Sequence, residues 1–434
     1  MTKFQIIVLG IFVLFIVVGV AAFALFKSSS TSNALPAVTV WGTFPANVFD
    51  QYVSNINNGL STTISVTYKY IDPSAFSQQF VAALARGTGP DAILIPADML
   101  LPHEDKLALI PYSALSQRSF MDTYIQEGQI YLTGTGILAL PFTVDPLIMY
   151  WNRDTFNAAG LATYPRTWDE FTSSGGLVSK LTVKDANGNI RKSAVALGDF
   201  STVDNAREIL GSLLMQTGNP VTAYSAQGAL QTTIRTSAAV DPSPAIQFFS
   251  QFVDPTSPAY SWNRGMQDSK TSFLSGMLAT YFGFASEISD IRTKNPNINF
   301  DAAPLPQLRS GGIKAEYGRM YGLSIVRSTP NANGVYQILS ILSQPAFLSS
   351  LSQSLYLPPV RNDLIAAGSK DPYISIFDQA ALVSRTWLDA DPSKSAQVMG
   401  NMIQSITSGQ ESIFQAVTDA SAQYDVLLQQ ATIQ

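Results

Sequence analysis

The chain has 434 residues, which at roughly 150 residues per domain implies two to three domains. Hydrophobic residues make up 46% and charged residues only 13%, a balance that supports large cores and excludes disorder over most of the length. A net charge of −5, no cysteine and a single histidine exclude an electrostatic footprint for nucleic acid, disulfides, thiolate sites and any multi-histidine metal centre.

Taken in chain order, the first signal is residues 6–26, 21 consecutive positions without a charged or polar side chain. That is close to the ~20 residues a helix needs to cross a hydrocarbon core, and longer than the ~7–15 apolar residues of a cleaved signal segment. The segment reads as an uncleaved N-terminal transmembrane helix, with Lys3 as a weak cytoplasmic-side signal. The triplet Ala22, Phe23, Ala24 keeps cleavage open. A polar tether, KSSSTSN at 27–33, follows, and the folded part starts near Ala37.

A strand–helix alternation then begins. AVTVWGTF (37–44) reads as a strand ending at Gly42, and NVFDQYVSNIN (47–57) as an amphipathic helix. TISVTYKYI (63–71) is a β-branched and aromatic strand. DPSAFSQQFVAALARG (72–87) is a helix opened by Asp72 and Pro73 and stopped by Gly87. PDAILIPAD (90–98) is a strand apolar on both faces, as parallel pairing requires. This βαβαβ order implies a parallel sheet covered by helices. LPHEDKL (101–107) carries His103, which reads as a surface residue in a helix's first turn rather than a general base.

LPFTVDPLIMYWNRDTFNAAG (140–160) is apolar except that Asp145 and Pro146 interrupt it. TWDEF (167–171) opens a helix, and NAREILGSLLMQTG (205–218) is another. LTVKDANGNIRKSAVAL (181–197) reads as two strands joined at Asn187-Gly188. It is not a calcium loop, because Ile190 and Ala196 stand where such a loop needs glycine and glutamate. Strand signals return at MLATYFGFA (277–285), INFDAAPLP (298–306) and GRMYGLSIV (318–326). The last hundred residues read as helix, broken by LYLPPVRNDL (355–364).

The order of these motifs resembles the extracellular solute-binding proteins of ABC importers, family 1, the maltose-binding-protein-like group. The pieces that carry it are TVWGTF, FVAALARGTGPDAILI, ALPFTVDPLIMYWNRDTFNAAGLATYPRTWDEF, SFLSGMLATYFGF, AAPLPQ, GRMYGLSIV and SGQESIFQAV, spread over nearly all of 37–434. The resemblance implies an α/β, two-lobed periplasmic-binding-protein-like fold of type II with a ligand cleft between the lobes. Residues 1–36 would be anchor and tether, 37–143 plus 302–358 lobe I, and 146–299 plus 361–434 lobe II. The chain would cross between lobes near 142–147, 299–305 and 357–361. It implies a monomer without cofactor, a small-molecule solute with carbohydrate first, an ABC permease as partner, and a globular part held outside the cytoplasm at the cell membrane. Many relatives are anchored through an N-terminal cysteine; this chain has none, so the apolar segment would take that role.

A sugar site needs acceptors for hydroxyls and flat aromatic faces in a mostly apolar cleft. Asp145 matches a cleft acid of such relatives at the first crossing, and a carboxylate there must be paired or solvated. Asp98 matches a second, against the rival reading of a helix cap for MLLPHEDKL. Trp41 and Thr43 end the first strand, and open α/β sheets bind ligands beyond the carboxyl ends of strands. Phe282, Gly283 and Phe284 match the family's cleft strand end, with Gly283 permitting close backbone approach. Trp262, Tyr321 and Trp387 complete the candidates, while Tyr150 and Trp151 read as core. Two rivals stay open: a sensor ectodomain on the same fold, and a glycosidase using Asp98 and Asp145 as an acid–base pair. Against the second, no Gly-x-Ser-x-Gly, Ser-x-x-Lys or metal-ligand signature is present.

Overall fold

The structure is a computed structural model and describes residues 35–61 and 63–433. The expected membrane helix at residues 6–26 lies outside the described residues. Among the described residues no helix is long and apolar enough to cross a membrane.

The opening alternation folds as its residues dictate: β1 (Val38–Gly42), α1 (Ala46–Gly59), β2 (Val66–Tyr70), α2 (Pro73–Ala85) and β3 (Ala92–Pro96). β1 lies between β2 and β3, parallel to both. The Asp72 carboxylate accepts the Ser74 amide and Pro73 takes the first helical position, which starts α2 where the sequence places it. Gly42 is obligatory for this packing, because a Cβ there would sit 2.2 Å from the Leu94 carbonyl oxygen.

The remaining main elements are β4 (Leu140–Asn152), β5 (Ile190–Val195), α3 (Ala206–Thr217), β6 (Leu278–Phe284), β7 (Phe300–Ala303) and β8 (Glu316–Val326). The helices α4 (Pro345–Leu355), α5 (Asn362–Ala367), α6 (Pro372–Val383), α7 (Pro392–Thr407) and α8 (Ile413–Ile433) follow. The sheet runs β2-β1-β3-β8-β4-β6-β5. β8 is antiparallel to β3 and β4, while β6 and β7 each pair antiparallel with β4. Hairpin and turn chemistry at 185–189 agree with the sequence: Asp185 accepts the amides of Asn187 and Asn189, and Gly188 takes φ +83°. The helix expected at TWDEF is one turn, Asp169–Thr172.

Two apolar cores lie along this sheet. One gathers β1 to β3, β4 as far as Val144, and β8 from Met320 to Val326. The other gathers β4 from Leu147, then β5 to β7, α3 and Tyr317. Asp145 and Pro146 therefore stand at the join, yet they do not break the strand: all 13 positions of β4 are buried and it continues through both cores. The second passage differs from the expected 299–305. Phe300, Ala302, Ala303 and Leu305 all pack in the second core, because β7 is held there by its pairing with residues 149–152. This second change of core comes later, within β8, between Tyr317 and Met320. At the third passage Leu357 packs in the second core and Val360 in the first.

His103 is not a surface residue. It is 1% exposed, edge-on to Phe76 and Phe80 at 5.6 and 5.3 Å, with Nε2 3.1 Å from Ser77 Oγ. The tight turn Leu101–Lys106 folds back over α2 and carries the ring inward. Burial lowers its pKa to about 4, which keeps it neutral at physiological pH.

Candidate functional site

β8 carries Tyr317, Arg319 and Tyr321 at alternate positions, so the three side chains project from one face of the strand, at the place where it passes between cores. Around that row the structure assembles two acid–arginine–aromatic groups.

The first centres on Asp98, in the turn Ala97–Met99 that ends β3. Its Oδ2 accepts the Tyr317 hydroxyl at 2.7 Å and lies 3.3 Å from Arg207 Nη1. The turn and its neighbour have no side-chain cap, so the helix-cap reading of Asp98 is set aside. Arg207, in the first turn of α3, is buried. It donates Nη2 to Asp389 at 2.7 Å, Nη1 to Glu208 at 2.9 Å and Nε to Ser395 Oγ at 3.1 Å. Its guanidinium stacks on Trp387, 4.4 Å from the ring centroid. Trp387 is fixed in turn by donating Nε1 to Tyr424 and by an edge contact with Tyr317 at 5.2 Å. Burial raises the pKa of Asp98 even against Arg207 and Tyr317, while Arg207, despite burial, is held firmly charged by the surrounding carboxylates.

The second centres on Asp145, whose cross-strand partner is Arg319. Its carboxylate accepts both the Ser286 amide at 2.9 Å and the Ser286 hydroxyl at 2.6 Å. Burial raises its pKa to about 6, opposed by Arg319 and Ser286. Arg319 lies over Phe284 at 3.8 Å, and Phe284 meets Tyr317 edge-on at 6.1 Å, which joins the two groups. Tyr321 continues the row and contacts Phe44 at 5.3 Å. Thr43 is buried at the end of β1 with its Oγ1 unpartnered.

Of the sequence-expected residues, the structure thus brings Asp98, Asp145, Phe284, Tyr321 and Trp387 to one place. Others sit in packing roles. Trp262 is buried in the second core and donates Nε1 to Thr202. Phe282 packs on Trp168 and Phe171 in the same core. Gly283 is dictated by a neighbour, since a Cβ would lie 2.4 Å from Tyr281 Cε1. Trp41 carries Nζ of Lys69, its pairing partner on β2, 4.0 Å above its ring. Sequence reasoning missed Arg207, Tyr317 and Arg319. The signals were an arginine in the first turn of an apolar helix, where the dipole disfavours a cation, and the Tyr-x-Arg-x-Tyr alternation inside a core strand. Among the described residues no three His, Asp or Glu side chains converge as a metal site.

Two α/β lobes sharing a sheet, with polar and aromatic groups where the cores meet, define a two-lobed solute-binding fold. Residues 42–346 match the family of bacterial extracellular solute-binding proteins, and this chain belongs to that family. It is 23% identical to the maltodextrin-binding protein of Bacillus subtilis, over 68% of this chain and 66% of that protein. It is 19% identical to a protein of Brucella abortus described as a binding protein, over 94% of this chain and 97% of that one. Among solved structures it superposes on a cyclo/maltodextrin-binding protein complexed with maltotetraose with TM-score 0.72, at 16% identity, covering 93% of this chain and 98% of that one. The sugar-binding protein MalE of Xanthomonas citri gives 0.70, at 18% identity, covering 91% and 98%.

Proposed function

We propose that this protein is the extracytoplasmic substrate-binding component of an ABC importer. In this reading it takes a sugar or oligosaccharide between two hinged lobes and passes it unchanged to a membrane permease. The observation that carries the reading is the pairing of two acid–arginine–aromatic groups at the junction of the cores. Arg319 and Tyr321, both partly exposed at the join, offer a donor to hydroxyls and a ring face to C–H patches, while the buried acids and the buried rings of Phe284, Tyr317 and Trp387 hold that row in place. The maltodextrin-binding relative and the sugar-complexed structural neighbours support carbohydrate as the solute class. The hinge falls on Asp145-Pro146, on residues 317–320 and on the segment after α4, and ligand shifts the equilibrium by binding the closed form better. The apolar segment at residues 6–26 anchors the chain at the membrane. Binding rather than hydrolysis fits the acids, because Asp98 is committed to Arg207 and Tyr317, and Asp145 to Ser286.

A thermal-shift screen over mono- and oligosaccharides tests this. A ligand at a hundred times its Kd stabilises the folded state by about 2.7 kcal/mol. The expected result is a rise in Tm for a saccharide that is recovered chemically unchanged, weakened at least tenfold by Asp145→Asn. If another solute class raises Tm and no saccharide does, the carbohydrate assignment is wrong; if saccharide is cleaved, the binding role is. The mass of the membrane-associated protein tests the anchor: loss of the first 24 residues rules it out.

A further inference from the structure

Behind the third passage, away from the acid–arginine groups, α4, α5 and α6 line an open-mouthed cavity of about 350 Å3. α4 packs in the first core through Leu348 and Leu351, whereas α6 gives Phe377 to the second core and Ala381 to the first. The cavity thus sits over the join between the lobes, and its lining includes none of the residues of the acid–arginine groups.

Two carboxylates line it from one face of α6, Asp371 and Asp378, two turns apart. They differ in kind. Asp371 is occupied: its Oδ1 accepts the amides of Tyr373 and Ile374, and its Oδ2 accepts the Tyr356 hydroxyl at 2.7 Å. Asp378 is 7% exposed and its Oδ1 has no hydrogen-bond partner. A buried polar atom without a partner calls for an explanation, and one that lines a cavity points to what the cavity takes. Burial raises its pKa to about 6. The charged groups around the cavity are Asp371, on the same lining, and Arg292, which lies over Tyr356 and Tyr373 and acts on Asp371. Among the described residues lining the cavity none is basic.

We propose that this cavity is a second ligand site, for a small organic ammonium group whose N–H donors bond Asp378 Oδ1. The rest of the lining suits such a ligand. Ser352 and Gln353 supply further acceptors, and Leu357, Leu364 and Ile374 supply an apolar wall for a short alkyl chain. Its size falls at the lower end of the roughly 300–1,000 Å3 of small-molecule sites. A divalent metal fits less well: hard cations take about six or more oxygen ligands, and among the described residues no group of three His, Asp or Glu side chains could hold a metal ion.

The test uses the full chain and simple probes: butylammonium, putrescine and the neutral butanol. Isothermal titration at pH 8 is expected to show binding of butylammonium or putrescine, and binding at least tenfold weaker for butanol. Asp378→Asn keeps the shape and loses no existing hydrogen bond at Oδ1, so it should fold, retain saccharide binding and lose amine affinity at least tenfold. For the unmodified protein, lowering the pH from 8 to 5 should weaken amine binding about tenfold as Asp378 takes up a proton. Absence of amine binding, equal binding of butanol, undiminished affinity in Asp378→Asn, or affinity indifferent to pH would each overturn the proposal. None of these outcomes depends on whether the cleft binds sugar.

Discussion

Arg207→Met removes the cation that pairs directly with three carboxylates, those of the buried Asp98 and Asp389 and of the half-buried Glu208. Asp389 is fully buried, and without Arg207 its remaining donor is chiefly Ser395 Oγ at 2.5 Å. Asp98 would keep only the Tyr317 hydroxyl. Breaking a buried ion pair from one side leaves an uncompensated charge and costs about 3–5 kcal/mol, and the stacking on Trp387 is lost in addition. Methionine fills much of the volume, so the cost is electrostatic rather than a cavity. Urea unfolding at pH 7.5 measures it: stability should drop by about 3–5 kcal/mol in Arg207→Met. The double variant with Asp389→Asn should recover part of that loss, giving a coupling energy of about 1–3 kcal/mol. Asp98→Asn, in contrast, leaves Arg207 with Asp389 and Glu208, and should cost about 1 kcal/mol while lowering saccharide affinity. A loss under about 1 kcal/mol in Arg207→Met, or strict additivity with Asp389→Asn, refutes the charged network.

Glu127 and Glu316 are buried, with pKa values raised by burial to about 7 and about 8. Their folded values exceed the unfolded ones, so each contributes stability below about pH 4.5 that is lost as pH rises through about 7 and 8, at about 1.4 kcal/mol per pH unit for each group. Urea unfolding from pH 5 to 9 should show this decline, and Glu127→Gln with Glu316→Gln should flatten it; an unchanged slope in the double variant counts against both assignments. Gly283→Ala should lower stability by about 1–3 kcal/mol in thermal unfolding, through its clash with Tyr281. A normal Tm with impaired ligand binding would return that glycine to the cleft. Trp387→Ala should cost about 3–5 kcal/mol, read by the same method, because it opens a cavity beneath Arg207; a loss below about 1 kcal/mol would mean the ring is not packed as described.

The alternation up to residue 98 was legible because each strand is a short β-branched run and each helix carries its own start signal, as Asp72-Pro73 shows. Asp145 stood out for a related reason, as an acid in an apolar run that must have a partner, whereas Asp98 stood out only through its match to the family's cleft acids. What local pattern does not encode is which partner. Arg207 reaches Asp98 from over a hundred residues away in sequence, and nothing in NAREILG announces that meeting. Nor does a window of sequence separate a cleft aromatic from a core one. Trp262 and Trp387 look alike as isolated rings and both are buried in the second core; only the fold puts Arg207 over one and Thr202 against the other. His103 was misjudged because a polar heptapeptide reads as surface until the turn that folds it onto Phe76 and Phe80 is known.

The sheet order carries one last consequence. β8 lies between β3 and β4, although some 160 residues of chain separate it from β4. The first lobe's sheet therefore stays split until residue 326 has left the ribosome, and such distant pairing is slow because loop closure must precede any reward. The second lobe needs no such wait: β4, β5, β6 and β7 pair among themselves, so its sheet forms while the first lobe still lacks its central strand.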